Sequence, residues 1–229
     1  MDVGLNIAAS GMLAEQVQED QIANDLANAS TPGYKASSSV QQSFDALLLQ
    51  NSATGQSIGS IDLGVELSKG KTNLAQGPLQ TTGRSLDFAV SGSGFFAVRT
   101  AGGVQYTRNG QFSVNNQGLL IDQFGDNVLS QTGAPIKVGA QGTVPTTALG
   151  LFTVNNPSQL GNNNFSGTAA GGRATGQIYS GKLEGSGIDP IQTMVRMETA
   201  LNAYTAGQQA IGTISRTMQE SASSVAQVP

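Results

Sequence analysis

The 229-residue sequence contains no histidine and no cysteine. Without histidine the commonest general base is missing, and a Ser-His-Asp triad cannot be completed. Without cysteine there is no thiolate nucleophile and no disulfide, and most transition-metal sites lose their preferred ligands. We therefore expect a protein that is not an enzyme and that binds no metal and no cofactor.

Charge is also scarce, since charged residues make up 11% of the chain and the net charge is −4. The basic residues are scattered singly, whereas phosphate binding requires clustered lysine and arginine. No apolar run approaches the ~20 residues of a membrane span. The first basic residue is Lys35, so the positive segment of a signal peptide is missing. These features predict no nucleic-acid partner, no membrane insertion and no cleavable signal peptide.

Both ends of the chain carry helical patterns. Residues 1–30 lack proline and place apolar residues at helical spacing, and Thr31-Pro32-Gly33 ends this helix because proline disfavours helical geometry in the residue before it. Residues 188–226 form a longer predicted helix, with Asp189 at the N-cap and Pro190 at the first helical position. Its heptad pattern is typical of a coiled coil, and the seam consists of Met194, Met197, Leu201, Tyr204, Gln208, Ile211, Ser215, Met218, Ala222 and Val225.

Neither terminal helix is expected to be stable alone. Gly207 and Gly212 each cost ~1 kcal/mol relative to alanine in the C-terminal helix, and Gly11 weakens the N-terminal helix in the same way. Packing supplies most helical stability in proteins, so each helix needs a partner. Two arrangements fit this pattern equally well. The helices pair once within one chain, or they pack against helices of other chains.

The middle of the chain has a β pattern. Residues 63–185 contain short apolar or alternating runs separated by glycine and asparagine turns, which predicts an antiparallel all-β domain. Residues 155–173 are predicted as a loop. Residues 36–62 are predicted as an extended Ser/Gln/Gly-rich connector with a short ordered patch at 44–49. The chain is therefore expected to be α+β and mainly β, with strands at 86–90, 95–98, 104–107, 111–114, 119–121, 127–129, 136–138, 149–154 and 176–183.

Two segments could suggest a ligand site. The run from Gly92 to Ala97 follows a predicted strand and matches a loose dinucleotide-binding pattern, but that pattern requires a helix to follow. A strand is predicted there instead, so a hairpin turn is the better interpretation. Asp87, Asp122 and Asp126 could form a calcium site, but isolated acids beside turns more often bond the turn itself, and EF-hand spacing is absent.

Several segments, in order along nearly the whole chain, resemble one family. They are residues 5–13, the asparagine-rich segment 22–35 that ends in Thr-Pro-Gly-Tyr-Lys, the β segments 76–83, 86–96 and 106–112, and residues 181–184 before the last helix. This order is similar to that of the rod and hook basal-body proteins, the axial proteins of the bacterial flagellum. Asp25 stands where asparagine is common. The matching motif residues are Asn24, Asn28, Pro32, Gly33, Tyr34, Leu86, Asp87, Gly92, Gly94, Phe95 and Phe96.

The resemblance implies a structural subunit of a helical tube that transmits torque and surrounds an export channel. The terminal helices would pair in an inner coiled-coil layer, and the β domain would lie outside it. The implied partners are copies of the chain, other rod and hook proteins, the flagellar type III export apparatus and ring proteins around the rod. The implied location is the extracytoplasmic part of the basal body. The chain is short for a hook subunit, and the segment from Gln76 to Phe96 is more similar to the distal than to the proximal rod protein.

On this hypothesis the chain divides into a helical assembly domain, a connector and a β domain. The helical domain comprises residues 1–35 and 186–229. The alternative is an exported β-domain protein that binds its ligand as a monomer, with terminal helices that resist proteases in free solution. The assembly hypothesis predicts cleavable termini instead. The residues expected at the inner-layer interface are Leu5, Met12, Leu26, Met194, Met197, Leu201, Tyr204, Ile211 and Met218.

Overall fold

A computed structural model of the chain describes residues 2–38, 40–43, 47–50, 57–61, 65–68, 72–139 and 141–225. Within them the chain forms two long helices and fifteen strands, and it divides into two compact units. The helical unit contains residues 1–26, 37–71 and 190–229. The β unit contains residues 27–36 and 72–189. The predicted α+β class, with terminal helices and a central antiparallel β domain, is confirmed.

The helical unit contains α1 (Asp2–Ala27) and α2 (Pro190–Val225), which pack together. The helix α2 begins at Pro190, as its sequence predicts, and at 1.5 Å per residue it is ~54 Å long. Two strand pairs also belong to this unit. They are β1 (Val40–Ser43) with β4 (Val65–Ser68), and β2 (Leu47–Gln50) with β3 (Ser57–Ile61). Of the predicted ordered patch, residues 47–49 lie in β2 and residues 44–46 lie outside the described residues.

The β unit has antiparallel pairing throughout its described strands. Seven strands form one sheet in the order β12-β13-β8-β7-β11-β10-β9, and β14 with β6 and β15 with β5 form two small sheets. The strands are β5 (Leu79–Thr81), β6 (Phe88–Ser91), β7 (Phe96–Thr100), β8 (Gly103–Thr107), β9 (Ser113–Val114), β10 (Leu120–Ile121), β11 (Asn127–Leu129), β12 (Phe152–Gln159), β13 (Asn164–Arg173), β14 (Gln177–Ser180) and β15 (Lys182–Glu184).

The strand β7 lies between the two hydrophobic clusters of the β unit. Successive side chains of a strand point to opposite faces of the sheet. Phe96 and Val98 accordingly belong to one buried cluster, with Phe112 and Leu120, while Ala97 belongs to the other. Burial on both faces explains why the first three residues of this strand, 96–98, are all apolar and do not alternate with polar residues.

Three sequence predictions for the β unit are wrong. The segment 155–173 was expected to be a loop, but it lies mostly in the β12–β13 hairpin, where Asn162 and Asn163 take positive φ at the turn. Residues 136–138 were expected to be a strand, but they form an isolated bridge at Lys137, which pairs with Leu119. The Gly92-Ser93-Gly94 segment does connect two strands, yet β6 and β7 belong to different sheets, so it is not a hairpin turn. In the first of these segments, the composition indicated a loop because it is rich in asparagine and glycine. Asparagine tolerates positive φ better than most residues, so it also suits the tight turn of a hairpin.

Candidate assembly surfaces and a buried charge cluster

The predicted seam residues of α2 divide into two groups by exposure. Met194 and Leu201 are exposed, and Leu201 keeps 44% of its accessible surface. Four others, spaced seven residues apart, are half-buried: Met197, Tyr204, Ile211 and Met218. Seven residues are close to two helical turns, so each group lies along one side of the helix.

The side of α2 that packs within the chain includes a column of small residues. Thr193 and Ala200 are buried, and Gly207 continues the column at the same spacing. A Cβ atom on Gly207 would lie 2.7 Å from Cγ of Met12 in α1, so the methionine occupies the space that a side chain would fill. This column alternates with the half-buried one. The intrachain seam therefore shares its half-buried column with the predicted seam, and its other column is displaced by one residue.

Both helices leave apolar residues facing solvent. Ile191, Met194, Val195 and Leu201 are exposed on the first turns of α2, with Ile191 at 75%, and we call them the α2 apolar face. In α1, Leu13 and Val17 are exposed, while the predicted interface residues Leu5, Met12 and Leu26 are half-buried. Grouped apolar surface of this kind marks an interaction site more often than chance exposure does.

The Thr-Pro-Gly-Tyr-Lys segment lies in the β unit, directly after α1. The backbone N–H of Thr31 donates to the carbonyl of Asn28 and closes the turn that ends the helix. Gly33 has φ of 69°, and a Cβ there would lie 2.5 Å from backbone atoms of Arg108, so only glycine fits. The N–H of Gly33 donates to the carbonyl of Glu184, and the N–H of Gly187 donates to the carbonyl of Tyr34. The two segments that lead to the helices therefore run side by side.

Three charged side chains meet in the interior of the β unit, and none is more than 5% exposed. Nζ of Lys35 lies 2.6 Å from Oε1 of Glu184 and also donates to the carbonyl of Ala75. Nη1 of Arg108 donates to Oε2 of Glu184 at 3.2 Å. The N–H of Gly77 donates to the same carboxylate. We call Lys35, Arg108 and Glu184 the charge cluster.

The charge cluster holds two cations against one carboxylate. Burial lowers the pKa of Lys35 below its usual value of 10.5, while the hydrogen bond and charge of Glu184 raise it again, and the charge of Arg108 lowers it. Arg108 also donates from Nη2 to the carbonyl of Gly92 and lies over the ring of Phe95, 5.1 Å from its centroid. Glu184 is therefore the group on which both cations depend.

Most of the remaining motif residues lie in the β unit, and several of them pack in its core. Phe96 is fully buried, and Leu86 packs against the same cluster. Gly94 has φ of 128°, and a Cβ there would lie 2.6 Å from Leu151. The other motif residues not yet placed are buried Asp87 and Phe95, exposed Gly92 and Asn24, and half-buried Pro32.

The acidic residue Asp122 has a role in its own turn. Oδ1 of Asp122 accepts from the backbone N–H groups of Phe124 and Asp126, both at 2.9 Å, so it bonds its own turn, as the sequence analysis favoured. In the described part of the chain no group of acidic residues could hold a metal ion. In that same part, no helix is both long enough and apolar enough to cross a membrane.

Comparison with known proteins covers both units. Residues 5–35 match the family "Flagella basal body rod protein", residues 89–157 match "Flagellar hook protein FlgE/F/G D1 domain", and residues 179–224 match "Flagellar basal body rod FlgEFG protein C-terminal". The flagellar basal-body rod protein FlgF of Caulobacter vibrioides is 31% identical over 227 residues, which covers 89% of this chain and 90% of that protein. This chain belongs to the flagellar basal-body rod protein family.

The rod-protein relatives carry two different names. The flagellar basal-body rod protein FlgG of Agrobacterium fabrum is 32% identical over 249 residues, covering 91% of this chain and 94% of the relative. FlgG of Bacillus subtilis is 30% identical, with 92% and 94% covered. Membership of this family makes the chain a structural protein of the flagellum and not an enzyme.

The charge cluster of this rod protein was missed by sequence reasoning. Each of its residues lies within a segment that resembles the family, but nothing in the sequence indicates that Lys35 and Glu184 meet across 149 positions. One feature of the sequence could have indicated the cluster, namely the low share of charged residues, 11%. Where charged residues are this scarce, a lysine such as Lys35, which stands between an aromatic residue and a small one, is a candidate for burial beside an oppositely charged side chain.

The two glycines of α2 should respond differently to alanine. Glycine to alanine in a helix interior stabilises by about 1 kcal/mol. A Cβ on Gly212 meets nothing within 4 Å, so Gly212→Ala should gain this amount. Gly207→Ala should gain little or become less stable, because the new atom displaces Met12. Thermal unfolding followed by circular dichroism at 222 nm measures the difference, and equal gains would contradict the packing of Met12 on Gly207.

Proposed function

We propose that this chain is a subunit of the flagellar rod that polymerises through its terminal helices with copies of itself and with other rod and hook proteins. The observation that carries the proposal is the α2 apolar face, which stays exposed on a helix that already packs against α1 through other residues. Apolar residues in such positions lower the free energy when a neighbouring helix covers them. The predicted interface residues Met194 and Leu201 would then contact other subunits.

The half-buried interface residues have a different proposed role. Met12, Met197, Tyr204, Ile211 and Met218 would hold α1 and α2 together as one unit, so that the apolar face is presented in a fixed position. Leu5 and Leu26, near the two ends of α1, are half-buried as well. A paired helix loses less conformational entropy on assembly than a free one. Helix pairing within the chain and helix packing between chains are therefore complementary in this proposal.

The finer position that we propose is the distal rod, outside the cytoplasm, with the subunit delivered by the flagellar type III export apparatus and surrounded by ring proteins. The resemblance of the segment from Gln76 to Phe96 supports this position over the proximal rod. In the assembled tube the helices would line the channel. The β unit, with its doubly buried strand β7, would give the outer layer the stiffness that torque transmission needs.

Electron microscopy of basal bodies from cells lacking this chain tests the proposal. The expected result is a structure that ends within the rod, with no hook or filament beyond it. Truncation near the distal end supports the distal position, whereas truncation close to the inner membrane moves the chain to the proximal rod. Complete flagella in those cells, with the chain absent from purified wild-type basal bodies by immunoblot, would contradict the rod assignment.

A further inference from the structure

The β unit has an open cleft of about 390 Å³ beside the start of strand β12, where Phe152 pairs with Phe95. Its walls are mostly apolar, and its size falls within the range of about 300–1,000 Å³ that holds compact ligands. A half-exposed leucine stands at one side, and the backbone of residues 92–94 completes the wall. The side chains that line it are Leu74, Gln76, Phe95, Arg108, Thr153 and Val154.

The charged side chain that lines the cleft is Arg108. Arg108 belongs to the charge cluster, in which two cations share the carboxylate of Glu184. Among the described residues, Nε of Arg108 has no hydrogen-bond acceptor although it is buried. Buried charge that is incompletely paired is costly, and a negative group brought near the mouth of the cleft lowers that cost. The cleft therefore favours an apolar side chain that is accompanied by carboxylates.

The turn between β10 and β11 carries such a side chain. Phe124 stands on this turn with 50% of its surface exposed, between Asp122 and Asp126. The backbone beneath it is fixed, because Asp122 accepts two backbone N–H donors and Gly125 takes φ of 90°. Burial raises the pKa of Asp126, and the neighbouring charge of Asp122 raises it further, so a nearby cation relieves repulsion at this turn. An aromatic side chain on a rigid turn loses little entropy when it docks.

The cleft and the turn lie at opposite ends of the strand β7. The cleft is lined by Phe95, directly before β7, whereas the β10–β11 turn leads into Asn127, which pairs with Arg99 near the other end of β7. One chain therefore presents both surfaces in different directions. Contacts between two different surfaces do not close on themselves, and they generate an open helical array when repeated.

We propose that the cleft beside β12 of one copy receives Phe124 from the β10–β11 turn of a second copy. This contact rests on the proposed function, since it requires copies to assemble, and it adds a second site of assembly in the β unit. The charges agree, because the partly exposed carboxylate of Asp126, two residues from Phe124, approaches the wall that contains Arg108. The partner is another copy of this chain because each copy carries both complementary surfaces.

Disulfide cross-linking tests the contact cleanly, because the chain has no cysteine of its own. We would express the full chain with Phe124→Cys and Thr153→Cys as the only copy in the cell, isolate basal bodies and oxidise them with copper phenanthroline. Both positions are exposed, so the fold should tolerate the changes. We expect a ladder of dimers, trimers and longer species on non-reducing gels, since each copy carries both cysteines. Co-expressing the two single variants should give dimers only.

Val104→Cys with Thr153→Cys is the matched control, because Val104 is exposed in the same sheet but lies outside the turn and the cleft. No ladder from assembled rods, or an equal ladder from the control, overturns the contact while the rod function stands. Absence of the wild-type chain from basal bodies overturns both. As a second measurement, Phe124→Ala should raise the concentration needed for polymerisation of the purified chain about ten-fold, against no change for Val114→Ala. An unchanged concentration for Phe124→Ala also contradicts the contact.

Discussion

Leu201→Asp should abolish rod assembly and leave the chain folded. Leu201 is 44% exposed, so the carboxylate can stay hydrated in the free subunit, and the free energy of unfolding should change by less than about 1 kcal/mol. In the assembled rod the same carboxylate would be buried against a neighbouring helix without a partner, which costs several kcal/mol at every repeat. Counting flagella by electron microscopy should give none, and circular dichroism of the purified variant should match the wild type.

Ala210→Asp is the matched control for this result. It adds the same charge at an exposed position nine residues further on, which lies about half a turn around the helix from Leu201 and outside the α2 apolar face. Cells carrying it should build flagella normally. Normal assembly by Leu201→Asp would show that Leu201 does not face another subunit. Loss of helical signal in the purified Leu201→Asp chain would show instead that the leucine stabilises the helix pair.

The sequence predicted the helix boundaries well because local signals determine them. Pro32 is incompatible with a continuing helix in the residue before it, and Pro190 fits the first turn of one. The seam facing α1 coincides with the predicted heptad seam in only one of its two columns. Thr193, Ala200 and Gly207 form part of it, and small residues carry no apolar signal even though they allow close helix approach. A heptad pattern built on the larger side chains therefore selected Met194 and Leu201, which face solvent in the chain.

Strand positions were easier to predict than strand partners. The alternation and turns of a segment are local properties, whereas pairing joins residues far apart, such as Val90 with Ile178. Composition was misleading in β13, where Gly167 stands in a strand because a Cβ there would lie within the side chain of Val154. The charge cluster could not be predicted from the sequence for the same reason as the strand partners, because its three residues come from three separate parts of the chain.

Glu184→Gln should destabilise the β unit by about 3–5 kcal/mol, because it removes the carboxylate that two buried cations share. The amide keeps the shape of the side chain and can still accept the hydrogen bond from the N–H of Gly77, so the loss is chiefly electrostatic. Urea denaturation followed by tyrosine fluorescence measures it. Three of the four tyrosines, Tyr34, Tyr106 and Tyr179, lie in the β unit, so this signal reports that unit.

Lys35→Met separates the electrostatic cause from a general loss of packing. It removes one cation, retains most of the side-chain volume and leaves Arg108 paired with Glu184, so it should cost clearly less than Glu184→Gln. Glu198→Gln, an exposed position on α2, makes the same chemical change and should stay within about 0.5 kcal/mol of the wild type. If Lys35→Met is as destabilising as Glu184→Gln, the lysine contributes more through its contact with Ala75 and the surrounding packing than through charge. If Glu184→Gln unfolds at the wild-type urea concentration, the charge cluster does not stabilise the β unit at all.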